Sequence, residues 1–220
     1  MLAISEHPGY VEISNSSDEV AVLFLHGLGA SGYDFVPWIQ KFFSDVPIYW
    51  RLPHAEVRPV TWLGGEQAPA WYDLFEASTK SREDIAGLHL AAKMVHAQLD
   101  ELEQLGYSKI FLGGFSQGAA LSLFAGLSYK KSIAGIAAFS GYLPRRQHLS
   151  ISVMQNVWLS HGDQDQVLTL KFHELTETSL SDNSMINLAS SVWSGMEHEI
   201  NNACSTSFRN WLITRINSGS

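Results

Sequence analysis

Residues 109–119 read Lys109-Ile110-Phe111-Leu112-Gly113-Gly114-Phe115-Ser116-Gln117-Gly118-Ala119, and their character changes at Ser116. The apolar run 110–112 suits a strand buried on both faces, whereas 119–127 suits a helix. Between them, Gly114-Phe115-Ser116-Gln117-Gly118 fits G-x-S-x-G, in which a serine is held on a sharp, strained turn from strand to helix. Neighbouring backbone passes close to such a serine, so small residues are needed two places on either side, and Gly114 and Gly118 supply them. The start of the following helix would aim backbone N–H groups at a developing oxyanion. The plainer alternative is a glycine-rich turn with no chemistry, and the strand-to-helix setting weighs against it.

The same alternation runs through the chain. Residues 20–25 (VAVLFL) form a continuous branched apolar run ended by Gly27 and Gly29, as expected of a strand in a parallel sheet. Comparable runs lie at 48–52, 133–139, 157–159 and 186–193, separated by connections long enough for helices. Ile85, Leu88, Ala92, Val95, Leu99 and Leu102 recur at steps of three and four, which predicts one long amphipathic helix over 84–105, capped by Ser81 with Asp84. Further helices are expected at 33–43, 117–129, 168–180 and 202–216. With 220 residues and 45% hydrophobic content, one α/β domain spanning 1–220 is expected. The segment 53–80 stands apart, with three prolines, paired Gly64 and Gly65 and four aromatics without period. Long irregular connections of this kind often serve as lids or binding loops.

Composition removes several function classes. Lys and Arg number 14 against 22 Asp and Glu, a formal charge of −8, so no basic footprint for nucleic acid exists. No stretch approaches the ~20 apolar residues of a membrane span, so stable membrane insertion is not expected. Residues 1–10 lack the basic start and apolar run of a secretory signal. One cysteine, Cys204, precludes an internal disulfide and makes the cytoplasm the default expectation.

A serine nucleophile needs a base, itself oriented by a carboxylate. With this motif the acid and then the histidine follow the serine in the chain. Among His148, His161, His173 and His198, only His198 lies on a glycine-bearing loop after the last strand, and it is the expected base. His161 sits against a strand end, His173 falls mid-helix and His148 lies in a polar loop. The loop His161-Gly162-Asp163-Gln164-Asp165 offers two carboxylates, between which position alone does not choose; helix capping is the alternative for either. At the end of the 20–25 strand, His26-Gly27-Leu28-Gly29 must turn over the sheet edge, so the N–H groups of Leu28 and Gln117 are the candidate oxyanion hole. His26 precedes the serine and is read as structural. Trp62, Leu63, Trp71 and Leu143 are candidates for an acyl groove, with core filling the alternative for each.

Taken together, the 26–29 motif, Pro53-His54-Ala55, Ala70-Trp71-Tyr72-Asp73, the 113–118 motif, Ser140-Gly141-Tyr142-Leu143-Pro144, His161-Gly162 with Asp165, and Gly195-Met196-Glu197-His198 resemble the carboxylesterase and acyl-protein thioesterase family. The likeness runs from about Val20 to Trp211. It implies an α/β-hydrolase fold, with a mostly parallel central sheet, helices on both faces and no large cap domain. It implies hydrolysis of carboxylic esters with short to medium acyl chains, and of acyl thioesters, through an acyl-enzyme and without metal or organic cofactor. Lysophospholipase or protein depalmitoylase specialisations lie within its range; a catalytically silent binding protein of the same fold is the alternative from another class. The implied partners are small-molecule esters or thioesters and acylated proteins, and some relatives form homodimers. The resemblance also chooses Asp165 over Asp163. Its departures concentrate before Trp71, at Leu63, Glu66 and Ala68, so chain-length preference does not carry over, and no cysteine near residue 1 is available for lipid attachment.

Overall fold

The structure is a computed structural model that describes residues 2–15, 19–76, 82–145 and 151–218. In chain order the elements are β1 (Ala3–His7), β2 (Tyr10–Ser14), β3 (Val20–Leu25), α1 (Val36–Phe43), β4 (Tyr49–Pro53), β5 (Val57–Val60), β6 (Glu66–Pro69), α2 (Ile85–Gln104), β7 (Lys109–Phe115), α3 (Gln117–Ser128), β8 (Gly135–Phe139), β9 (Gln155–Gly162), α4 (Leu170–Ser181), β10 (Ile186–Trp193) and α5 (Asn202–Asn217).

Eight strands form one sheet in the order β1-β2-β4-β3-β7-β8-β9-β10. The first two pairings are antiparallel and the rest parallel. Along β3 the side chains alternate between two cores. Ala21, Leu23 and Leu25 join α2, α3 and Leu180 of α4 on one face, while Val20, Val22 and Phe24 join α1 and α5 on the other. Covered on both faces, the central strands must be apolar throughout, which is why β3 is buried at every position. The second core is aromatic. Phe208 of α5 stacks edgewise on Phe139 with ring centroids 4.9 Å apart and lies 5.3 Å from Trp158.

The chain leaves β3 for β4 on one side and returns through α2 to β7 on the other. Neighbouring connections therefore diverge at the C-terminal ends of β3 and β7, and that divergence opens a crevice where ligands of open α/β sheets bind. His26-Gly27-Leu28 emerges from β3 there, and Ser116 from β7, with Leu25 opposite Gly114 in register.

Several expectations need adjusting. The helix expected over 33–43 begins as a 3-10 turn, Gly32–Phe35, before α1, which carries Pro37 in its first turn. The β1–β2 hairpin at the sheet edge lies outside the expected strands, because β1 is largely exposed and has no apolar run. Within 53–80 lies a second hairpin, β5–β6, with a 3-10 turn at Thr61–Leu63 and both tip glycines, Gly64 and Gly65, at positive φ. Ser81 and His148 lie outside the described residues. The N-cap of α2 is Asp84, whose carboxylate accepts from Gly87 N at 2.9 Å.

Candidate active site

Ser116 has φ 55 and ψ −116, a left-handed conformation strained for a residue with a Cβ. Its surroundings hold it there. A Cβ at Gly118 would lie 2.2 Å from the Leu25 carbonyl oxygen, and one at Gly114 would lie 2.4 Å from the Gly118 carbonyl carbon. The two glycines let α3 start tight against β3, and α3, apolar all round, is buried almost completely.

From this turn Ser116 Oγ lies 2.9 Å from His198 Nε2, and His198 Nδ1 lies 2.6 Å from Asp165 Oδ2. Asp165 Oδ1 accepts from the backbone N–H groups of Val167 and Leu168 at 2.9 and 2.8 Å. Burial pushes the Asp165 pKa up, but hydrogen bonds from His161, His198 and the Leu168 N–H outweigh it and hold the carboxyl well below the usual carboxylate range. An ionised Asp165 can only accept, so it takes the Nδ1–H of a neutral His198 and leaves Nε2 free to receive the serine proton.

The loops bearing Asp165 and His198 are tied together. Asp163 N donates to Trp193 O, Gln164 N to Met196 O, and Asp163 Oδ1 accepts from Gly195 N at 2.7 Å. Gly162 is required at this seam, because a Cβ there would lie 2.0 Å from Met196 O. Asp163 thus braces the His198 loop, and Asp165 alone of the two faces His198. Behind it, His161 is fully buried; its Nε2 donates to Leu168 O at 2.6 Å and lies 3.3 Å from Asp165 Oδ2. His173, on α4, is also buried, hydrogen bonds Ser190 Oγ at 3.0 Å, and has its pKa lowered to about 4 by burial and the neighbouring His161.

His26 is structural. Its Nδ1 donates to Gly27 O at 2.7 Å and its Nε2 accepts from Ala55 N at 2.9 Å, while burial lowers its pKa. Gly27 passes directly over Ser116, so that a Cβ on it would lie 3.3 Å from Ser116 Cβ. Leu28 comes next and borders both hollows that meet at Ser116, and Gln117 opens α3.

One hollow is a wide cavity of about 490 Å³, walled by Phe35, Trp38, Trp62, Phe115 and Ile200 and containing His198. The other is a narrow cleft of about 40 Å³ between Leu74, Tyr142, Val167, Leu168 and Phe172, reached past Gln117. Of the four groove candidates, Trp62 lines both hollows. The other three require correction. Leu63 is 37% exposed at the hairpin tip and lines neither. Trp71 is buried, with its indole N–H donating to His26 O and its backbone N–H to Gln117 Oε1, so it clamps the 26–29 turn to the serine turn. Leu143 is buried in the core beside α4, its N–H donating to Thr176 Oγ1. Sequence reasoning missed Phe35, Trp38, Val167 and Phe172. Val167 was recoverable, since it lies two residues beyond Asp165, whereas the others turn toward the site only through packing.

A sheet of this topology, with a strained serine after β7 and a histidine and aspartate on the loops after β10 and β9, is the α/β-hydrolase fold. The phospholipase/carboxylesterase family model matches residues 8–215, and the chain belongs to that family. It is similar to acyl-protein thioesterase 1 of Schizosaccharomyces pombe, 42% identical over 125 residues covering 56% of each chain. It is also similar to acyl-protein thioesterase 1 homolog 1 of Dictyostelium discoideum, 32% identical over 76% of this chain and 78% of that one. Among solved structures, SOBER1 of Arabidopsis thaliana superposes with a TM-score of 0.84 at 28% identity, covering 90% of this chain and all 100% of the other.

Proposed function

We propose that this protein hydrolyses carboxylic esters and acyl thioesters through an acyl-enzyme on Ser116. The observation that carries the reading is the unbroken run of contacts from Ser116 Oγ through His198 to Asp165, at 2.9 and 2.6 Å. Ser116 Oγ attacks the carbonyl carbon while its proton passes to His198 Nε2. The resulting oxyanion is held by the N–H groups of Leu28 and Gln117, donors of a kind each worth about 10²–10³ in rate. The C–O or C–S bond then breaks as His198 returns its proton to the departing alcohol or thiol. Water, deprotonated by the same nitrogen, attacks the acyl-enzyme, releases the acid and restores Ser116.

Acylated proteins belong to the proposed substrates because the curated relatives named above are acyl-protein thioesterases. A reducing compartment is the proposed setting, supported by Cys204, an unbridged thiol buried against Ser160 Oγ. The test is turnover of p-nitrophenyl butyrate by the wild type and by Ser116→Ala. Hydrolysis by the wild type that drops by about 10³-fold or more in the variant supports the reading; equal rates, or none in folded wild type, overturn it.

A further inference from the structure

The two hollows meeting at Ser116 differ in which side of the reaction they can serve. In the proposed reaction, on which this inference rests, the atom that receives a proton from His198 Nε2 is the departing oxygen or sulfur. The leaving group must therefore lie on the His198 side, in the wide cavity, and the acyl chain in the narrow cleft that opens past Gln117.

The wide cavity carries a consistent chemical character. Phe35, Trp38 and Trp62 form much of its wall, and two acidic residues, Asp34 and Glu199, also line it. No Lys or Arg lines either hollow among the described residues, and the narrow cleft carries a third carboxylate, Glu76. Asp34 is fixed by accepting from Ser31 N at 2.6 Å, and among the described residues neither Asp34 nor Glu199 has an ion pair. Aromatic side chains lining a cavity together with acidic residues that have no ion-pair partner form a setting in which ammonium groups are held, by ring quadrupole and Coulomb attraction together. The same setting repels phosphate or carboxylate.

We infer that the wide cavity is a leaving-group subsite selecting alcohols or thiols that carry a positive charge a few ångströms from the scissile bond, with Glu199 as the principal specificity-determining residue.

The experiment compares kcat/KM for three butyrate esters with one acyl group: butyrylcholine, its uncharged isostere with tert-butyl in place of trimethylammonium, and anionic sulfoethyl butyrate. In the wild type at low salt the cationic ester should exceed its isostere by about tenfold, and the anionic ester should fall below it by a similar factor. Raising the ionic strength from about 0.02 to about 0.5 M should shrink the cationic preference to about threefold, because exposed charges are then screened. Glu199→Gln should shrink it likewise when each ester is referred to that variant's own isostere rate. A ratio near one, or a preference for the anion, overturns the subsite while leaving the hydrolase reading intact. Failure to hydrolyse the uncharged ester overturns both.

Discussion

The serine turn and the β5–β6 hairpin are two walls of one site, built on opposite terms. At the turn every constraint is local and backbone-made: a positive φ at Ser116 and glycines whose missing Cβ atoms would strike carbonyl groups 2.2–2.4 Å away. The hairpin has only a small core of Val60, Ala68 and Ala70, with Val57, Trp62 and Leu63 exposed. A few polar ties fix it, chiefly Thr61 to the Asp73 carboxylate and Gly29 N to Pro69 O. The turn therefore fixes the chemistry and tolerates almost nothing, whereas the hairpin shapes access and tolerates variation.

The contrast breaks most visibly at Gly118. Gly118→Val should cost more than about 4 kcal/mol, since backbone cannot yield as a flexible side chain can, and chemical denaturation should find little native protein. A stable, active Gly118→Val would end the claim that the turn is rigidly determined. Next comes Asp165. Asp165→Asn should lower kcat by about 10³–10⁴ through loss of the His198 tautomer. Asp163→Asn should cost less than about tenfold, because its amide oxygen can still accept from Gly195 N. Steady-state kinetics on both variants decide it, and similar losses would show that the brace matters as much as the acid.

His161 tests how deep the rigid wall extends. Removing its proton donor with His161→Leu leaves the Leu168 carbonyl and Asp165 short of a partner and should lower kcat about 10- to 100-fold, with His161→Gln restoring most of the activity. Equal losses in the two variants would make His161 a packing residue only. His173 affects stability instead. Its folded pKa is depressed, so between pH 6.5 and about 4 the unfolded chain binds a proton that the folded chain refuses. Stability on that account is complete above pH 6.5 and declines as the pH falls through the window, by at most about 1.4 kcal/mol per pH unit. Urea midpoints for His173→Gln should show a flatter decline, with buried His26 still contributing in the same direction; an unchanged slope would remove His173 as a source. The smallest effects belong to the hairpin. Trp62→Ala should raise KM several-fold, and Leu63→Ala should change it less than about twofold, with neither shifting stability by more than about 0.5 kcal/mol.

What was legible in the sequence follows the same division. The ends of β3, the start of α3 and the stripe of α2 from Leu88 to Leu102 were readable because burial on both faces or on one stripe writes a period into the residues, whereas β10, a sheet-edge strand buried at no position, was readable from its apolar and branched residues. Ser116 and His198 were readable because a motif and chain order single them out, and the choice of Asp165 needed the family resemblance. The walls of the two hollows were not readable. Trp71 and Leu143 look from sequence like Trp62, and only tertiary packing turns one toward the cavity and the others into the core. The β5–β6 hairpin escaped because Pro59 and Pro69 interrupt its strands and much of it is exposed.

The central claim is that Ser116 is the nucleophile, and covalent trapping tests it without depending on the natural substrate. Wild type, Ser116→Ala and His198→Ala are treated with a fluorophosphonate, and the adduct is located by intact and peptide mass spectrometry. A single adduct on Ser116, absent from Ser116→Ala and formed at least about 100-fold more slowly in His198→Ala, is the predicted result. An adduct on another residue, or labelling of Ser116→Ala at the wild-type rate, would contradict it.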